Sequence, residues 1–225
     1  MKTSLTLWNK EISNIEAKQN IAQKIADYAR PDDVIGVGSG STSYLALLAL
    51  IKTGKPFTVH STSYEIDYLC MAHDIPTTDL AVDWCFDGAD EVDPDGNMIK
   101  GRGGAMLREK RVMLACQGPR FILIDSSKTV THLGEKHTIP LEVKAHKIFE
   151  IEQALNEIGI DDVKLRLAHH KDGPVITESG HVILDIKTTF TDEKKLMAID
   201  GVIETGLFIG FKPTLVFPET QLERI

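Results

Sequence analysis

The sequence predicts an α/β chain: a Rossmann-like open parallel sheet with a second, smaller α+β domain. Three observations predict it. Short apolar runs alternate with helical patterns through the first half. Two of those runs pass directly into turns rich in glycine or acids, VIGVGSGSTS at 34–43 and WCFDGADE at 84–91. After Lys128 the texture changes to alternating strands and two helices, with no further glycine cradle.

Taken in order, Ile15 to Ala29 places apolar residues at 15, 21, 22, 25, 28 and 29, a helical face that ends at Arg30-Pro31. Val34–Val37, Phe57–His60, Trp84–Phe86 and Phe121–Ile124 read as short strands. Helical patterns lie between them at 43–52, 63–73 and 104–116. Strands separated by helices predict parallel pairing with right-handed crossovers. Beyond Lys128, Ala145–Leu155 and Thr191–Ala198 read as helices. KLRLA, PVITE, HVILDI and GVIETGLF read as strands, with a turn at ESG. The final segments LFIGF and TLVF are expected to return to the first sheet. Residues 1–131 and 206–225 are thus expected to form the catalytic domain, and 132–205 the small one.

The turn at 34–43 carries Gly36, Gly38 and Gly40 beside Ser39, Ser41, Thr42 and Ser43, and opens onto the apolar run YLALLALI. A strand, a Gly/Ser turn and a helix aim backbone N–H groups and a helix dipole at an anion. The dinucleotide pattern would need glycine at 41, where Ser41 stands, and the P-loop would need a lysine closing the turn. A small phosphate or carboxylate cradle remains, beside the plainer reading of a turn without ligand. The second segment, Phe86–Lys110, runs from carboxylates through a glycine run into an amphipathic helix. Open α/β sheets bind ligands at such strand ends.

In order, GVGSGSTS, DGADEVD, KGRGGAMLREK and IDSSK resemble ribose-5-phosphate isomerase of the A type. The resemblance continues through IPLEV, SGHVILDI and GVIETGLF and covers the chain from about Ala17 onward. It implies an aldose-ketose isomerase that interconverts ribose 5-phosphate and ribulose 5-phosphate in the non-oxidative pentose phosphate pathway. By the LREK match Glu109 is the catalytic base, with Asp87 and Lys100 as further catalytic groups. Ser39, Gly40, Ser41, Thr42, Asp87, Gly88, Ala89, Asp90, Lys100, Gly101, Arg102, Gly103 and Lys128 are the implied substrate-binding positions. Lys18 matches another lysine of the family. The family usually has glycine where this chain has Arg102. The resemblance also implies a homo-oligomer, a dimer or a dimer of dimers.

The residue types fit that chemistry. Moving a proton between C1 and C2 needs a base, a group to stabilise an enediolate oxygen, and an anchor for the phosphate. Glu109 shares a helix face with Ala105, Met106 and Val112, a setting that suits a base. From spacing alone, a solvent-facing salt-bridge partner is the other reading of Glu109. Glu91, Asp93 and Asp95 read as solvated.

The 225 residues are 42% hydrophobic and 26% charged, enough for a sizeable core, and the net charge of −8 argues against nucleic acid or an anionic membrane as partner. The longest apolar runs are too short to span a bilayer, and the N-terminus has no apolar signal core, so a cytoplasmic protein is expected. Cys70, Cys85 and Cys116 read as buried free thiols. No cofactor and no metal is expected. A calcium loop with Gly96 at its sixth position would put Arg102 where a glutamate is required, and no H-E-x-x-H or Cys/His cluster exists. The Gly/Ser turn by itself leaves open a sugar-phosphate deaminase or a CoA-transferase-like enzyme of related fold.

Overall fold

The computed structural model describes Trp8 and residues 11–223. Residues 1–7, 9 and 10, on which the reading of the N-terminus partly rests, lie outside the described residues.

Helix α1 (Ile15–Tyr28) leads into strand β1 (Asp33–Val37). Helix α2 (Gly40–Lys52), strand β2 (Phe57–Ser61), helix α3 (Tyr64–Ala72) and strand β3 (Trp84–Asp87) follow. Next come two short strands, β4 (Glu91–Val92) and β5 (Met98–Ile99), helix α4 (Met106–Ala115) and strand β6 (Arg120–Leu123). A 3-10 turn at Ser126–Lys128 leads to strand β7 (Ile139–Val143), helix α5 (Ile148–Glu157), strand β8 (Val163–Leu165) and strand β9 (Val182–Ile186). Helix α6 (Glu193–Met197) and strands β10 (Val202–Thr205), β11 (Leu207–Phe208) and β12 (Thr214–Val216) complete the chain.

These elements form two compact units. The first holds the described residues up to Gly88, Arg108–Ser127 and those from Pro213 on. The second holds Ala89–Leu107 and Lys128–Lys212. The sequence-based boundaries, with 132–205 as the small domain, differ from this division at 89–107, 128–131 and 206–212.

The first unit is built on a five-stranded sheet in the order β12-β6-β3-β1-β2, every neighbour parallel. The strands are apolar on both faces, as a parallel sheet covered by helices requires. Ile21, Ala22, Ile25 and Ala26 of α1 and Ala46, Leu47 and Leu50 of α2 join Ile35, Val37, Val59 and Phe86 of the sheet in one core. Tyr28, Trp84 and Phe121 meet edge to face, with centroids 4.8–5.9 Å apart. The Trp84 indole N–H donates to Asp33 Oδ2 at 2.9 Å, so the polar edge of that ring is served inside the core. Helix α2 begins at Gly40, ahead of the expected residue 43, with Ser39 as its N-cap.

The second unit contains a four-stranded antiparallel sheet, β10-β7-β9-β8, and a three-stranded one, β11-β5-β4. Ile151 and Leu155 of α5 and Leu196 of α6 pack in one core with Ile139, Leu141, Leu184 and Ile186. Two expectations need correction here. PVITE is not a strand: Pro174 makes only an isolated bridge with Leu167, because proline lacks an N–H and positive-φ glycines at 173 and 180 bracket the segment. LFIGF does not return to the parallel sheet; Leu207 and Phe208 pair with Ile99 and Met98, and only Thr214–Val216 rejoins β6.

The acidic run 91–95 also differs from the expectation. Glu91 is 0% exposed, and its carboxylate accepts from the backbone N–H of Gly134 (2.7 Å), Lys136 (2.6 Å) and His137 (2.5 Å). A buried carboxylate survives only where donors replace its water, and three amides do so here. Asp93 is spent on the β4–β5 turn, accepting from the N–H of Asp95 at 3.0 Å and of Asn97 at 2.8 Å. Asp95 is exposed as expected.

All three cysteines are free and buried, as the sequence predicts. Burial, assisted by Asp67, pushes the Cys70 thiol up to about 12. No helix among the described residues is long and apolar enough to cross a membrane.

Gly36 sets how closely α4 lies on β1. A Cβ there would fall 2.5 Å from Val112 Cγ1 and 2.6 Å from Cys85 Cβ. Gly36→Ala is therefore expected to destabilise the fold by about 1–3 kcal/mol through overpacking. Urea denaturation measures it; an unchanged midpoint would mean that α4 does not need this approach.

Candidate active site

In the first unit the sheet order reverses between β1 and β3. Strand β2 lies on one side of β1 and β3 on the other, so the loops leaving β1 and β3 diverge at their carboxyl ends. Such a switch point opens a crevice for a ligand. The two segments singled out in the sequence are the loops that leave these two strands.

Asp87 ends β3 and is 3% exposed. Its carboxylate occupies the space that a side chain at residue 38 would take: a Cβ on Gly38 would fall 1.9 Å from Asp87 Cγ. The missing side chain of Gly38 thus makes room for this carboxylate. The Gly38 N–H donates to Phe86 O at 2.8 Å, which ties the first residue after β1 to β3. Asp87 Oδ1 in turn accepts from the Gly88 N–H at 2.7 Å, fixing the carboxylate against the turn it begins.

Ser39 is the N-cap of α2, with extended backbone at φ −95° and ψ 171°. A serine at this position ordinarily bonds the N–H of the first helical turn. Here it makes no such cap; the hydroxyl donates to Glu109 Oε1 at 2.7 Å. Glu109 projects from α4 and is 4% exposed, so the solvent-facing salt-bridge reading fails. Its neighbour Arg108 instead lies over the Tyr64 ring, 4.7 Å from the centroid, and 3.6 Å from Asp67 of α3. Consecutive residues Gly38 and Ser39 thus meet Asp87 and Glu109.

With Ser39 bonded to Glu109, the first-turn amides of α2, where Ser41 and Thr42 stand, receive no bond from the N-cap side chain. Gly40 holds φ at +86°, a conformation that favours glycine. Lys18, from α1, reaches this turn, with Nζ 3.0 Å from Ser41 Oγ. A helix N-terminus, two hydroxyls and an ammonium are groups whose chemistry suits an anion.

The remaining sequence-predicted residues, Ala89, Asp90, Lys100, Gly101, Arg102, Gly103 and Lys128, belong to the second unit. Lys100 is 3% exposed; its backbone N–H donates to Gly206 O at 2.9 Å and its ammonium stands 5.6 Å from the Phe208 ring centroid. Asp90 Oδ2 accepts from the Arg102 N–H at 3.2 Å, and the Arg102 guanidinium lies 3.6 Å from Asp90 Oδ1 with its side chain 75% exposed. Lys128 closes the 3-10 turn after β6 and is half-buried. The sequence reading passed over the Ser39–Glu109 bond, which joins residues 70 apart and has no local signal.

The arrangement has clear relatives. The model of the family described as ribose 5-phosphate isomerase A (phosphoriboisomerase A) matches residues 58–221. The chain is 34% identical to ribose-5-phosphate isomerase A of a Synechococcus species over 92% of its length and 95% of the relative's. It is 39% identical to that of Pyrococcus horikoshii, over 87% and 91%. Among solved structures, ribose 5-phosphate isomerase A from Methanocaldococcus jannaschii superposes with a TM-score of 0.82 at 35% identity, covering 87% of this chain and 92% of that one. A D-ribose-5-phosphate isomerase in complex with phospho-erythronic acid gives a TM-score of 0.81 at 36% identity, covering 88% and 91%.

Ser39→Ala removes a donor from a buried carboxylate. Such a loss costs about 1–3 kcal/mol, and the same variant should regain part of it only if a cap forms elsewhere on α2. Chemical denaturation reads the loss, and stability within error of the parent would show that the hydroxyl does not serve Glu109.

Proposed function

The chain belongs to the ribose 5-phosphate isomerase A family, and from that premise we propose that Glu109 carries the proton when D-ribose 5-phosphate and D-ribulose 5-phosphate interconvert. The activity is that of an aldose-ketose isomerase. The family match decides against the deaminase and CoA-transferase-like alternatives that the Gly/Ser turn left open.

In the aldose-to-ketose direction, Glu109 takes the proton from C2 of the open-chain sugar. Charge develops on O1, giving an enediolate. The O2 proton passes to O1, which becomes the C1 hydroxyl, and the protonated Glu109 delivers its proton to C1 as O2 becomes the ketone. The base must be buried and oriented, and the 2.7 Å bond from Ser39 to Glu109 supports this role above all else. Asp87, fixed by Gly38 and the Gly88 N–H, is suited to accept a sugar hydroxyl and to guide ring opening. Lys100 supplies positive charge for the developing oxyanion. Ser39, Gly40, Ser41 and Thr42, joined by Lys18, form the phosphate cradle. Gly88, Ala89, Asp90, Gly101, Arg102, Gly103 and Lys128 complete the proposed substrate contacts, with Arg102 oriented by Asp90. The complex of a solved relative with phospho-erythronic acid supports a phosphorylated sugar as ligand.

A cytoplasmic homo-oligomer, dimeric or a dimer of dimers, belongs to the same proposal. Three free thiols support a reducing compartment, and exposed Tyr64, Tyr68 and Met71 on α3 support self-association. Light scattering should give a mass at least twice the 24.9 kDa of the chain; a fully active monomer would exclude it.

Glu109→Gln tests the base directly. The amide is nearly isosteric but cannot take the proton, so kcat should fall roughly 10²–10⁴-fold with KM little changed. A coupled assay following ribulose 5-phosphate measures both, and near-normal turnover would remove Glu109 from the role.

A further inference from the structure

Arg166 and Asp185 lie far along the chain from the proposed substrate residues, yet in the second unit they meet the loop that carries them. Asp185, on β9, accepts from Arg166 Nε at 2.8 Å and also from Nη2, a two-bond pair that fixes the guanidinium plane. The backbone of Arg166 is held as well: its N–H donates to Ile183 O at 2.9 Å, and its carbonyl accepts from the Val175 N–H at 2.9 Å. Thr138 Oγ1 adds a bond to Asp185 Oδ1 at 3.3 Å. The remaining guanidinium nitrogen, Nη1, points at the glycine run. It donates to Gly101 O at 2.8 Å and to Arg102 O at 2.9 Å.

Two consecutive carbonyls turned to one cation constrain what the loop shows on its other side. A trans peptide is planar, so the N–H that follows each carbonyl points the opposite way. The N–H of Arg102 does so, and it meets Asp90 Oδ2 at 3.2 Å. The N–H of Gly103 is directed to the same side as that of Arg102. Gly101 and Gly104 bracket the turn with φ of +93° and +92°, and Gly104 N–H closes it onto Gly101 O at 3.0 Å. Glycine populates positive and negative φ about equally, so contacts made from outside help to fix one conformation of such a turn.

We propose that Arg166, anchored by Asp185, is a positioning residue of the isomerase: it clamps the Gly101 and Arg102 carbonyls, so that the Arg102 N–H stays on Asp90 and the Gly103 N–H is aimed at a substrate oxygen. This rests on the reading of 100–104 as a substrate loop. Arg166 itself touches no substrate and acts through the loop. Lysine cannot replace it, because one ammonium cannot hold both Asp185 oxygens and two carbonyls in a plane.

The test compares the parent enzyme with Arg166→Met, Arg166→Lys and Asp185→Asn. KM and kcat for ribose 5-phosphate, inhibition by inorganic phosphate, and amide hydrogen exchange are measured for each. The expected result is at least a tenfold fall in kcat/KM for Arg166→Met and at least a threefold fall for Arg166→Lys. Exchange should quicken at Arg102 and Gly103 while the amides of β7 and β9 keep their protection. A simple loss of structure would quicken β7 and β9 together with the loop, and that outcome overturns the clamp. So does a kcat/KM within twofold of the parent in Arg166→Met. Should that variant fail to fold, Asp185→Asn, which keeps the arginine but frees its plane, takes its place: a fall in kcat/KM of at least threefold is expected, and a value within twofold of the parent overturns the clamp. If loop exchange quickens while kcat/KM and phosphate inhibition stay unchanged, the arginine still holds the loop but the loop is not a substrate loop, and the proposal falls with that reading. An inactive parent enzyme would instead overturn the functional assignment itself.

Discussion

Absent side chains at Gly36 and Gly38 are the constraint on which the first unit depends. A parallel sheet brings the strands together at fixed spacing, but it leaves open how near a helix may lie and where a strand-end carboxylate can go. Without Cβ atoms, Val112 of α4 sits where residue 36 would have branched, and the Asp87 carboxylate sits where residue 38 would have. One absence brings the helix of Glu109 down onto β1. The other lets β3 deliver its last residue across the mouth of β1. Ser39, the next residue, then reaches Glu109 at 2.7 Å. Three positions of the tetrapeptide 36–39 thus gather groups from β3 and α4 at the end of β1.

Most of the parallel unit was legible in the sequence because each of its signals is local. VIGV, WCF and FIL are short apolar runs, and the helices between them carry clear faces, so existence and order of the elements follow from periodicity. The parallel direction follows from the alternation itself. Boundaries were less certain: α2 begins at Gly40 because Ser39 is extended, a detail of φ and ψ that hydrophobic spacing does not encode.

What escaped the sequence reading lies mainly in the second unit, where pairing is antiparallel and non-local. PVITE has the composition of a strand, but Pro174 cannot donate and the glycines around it turn the chain. Leu207 and Phe208 look like part of a strand continuing into TLVF; their partners Ile99 and Met98 are more than a hundred residues earlier, and no local pattern announces them. Arg166 sits in KLRLA as one more polar residue of an alternating segment. Its significance appears only when the carbonyls of Gly101 and Arg102 arrive beside it. The candidate site was legible to the extent that it is built of short motifs; the bonds that orient those motifs were not.

Glu91 and Glu109 make the same point at the level of one side chain. Both are glutamates in charged surroundings, and both are buried. Backbone amides from 134, 136 and 137 serve Glu91. An amide can only donate, so those three contacts suit a carboxylate that stays as it is, and a proton placed on Glu91 would face donors. The hydroxyl of Ser39 can donate or accept by rotating about its C–O bond. Such a partner can serve either protonation form of a carboxyl group. Amides suit a carboxylate that serves as a structural tie, whereas a hydroxyl partner is compatible with the base role proposed for Glu109. That difference lies in the partner's chemistry rather than in the glutamate, which is why two acidic residues in neighbouring motifs of one segment could be told apart only once their partners were known.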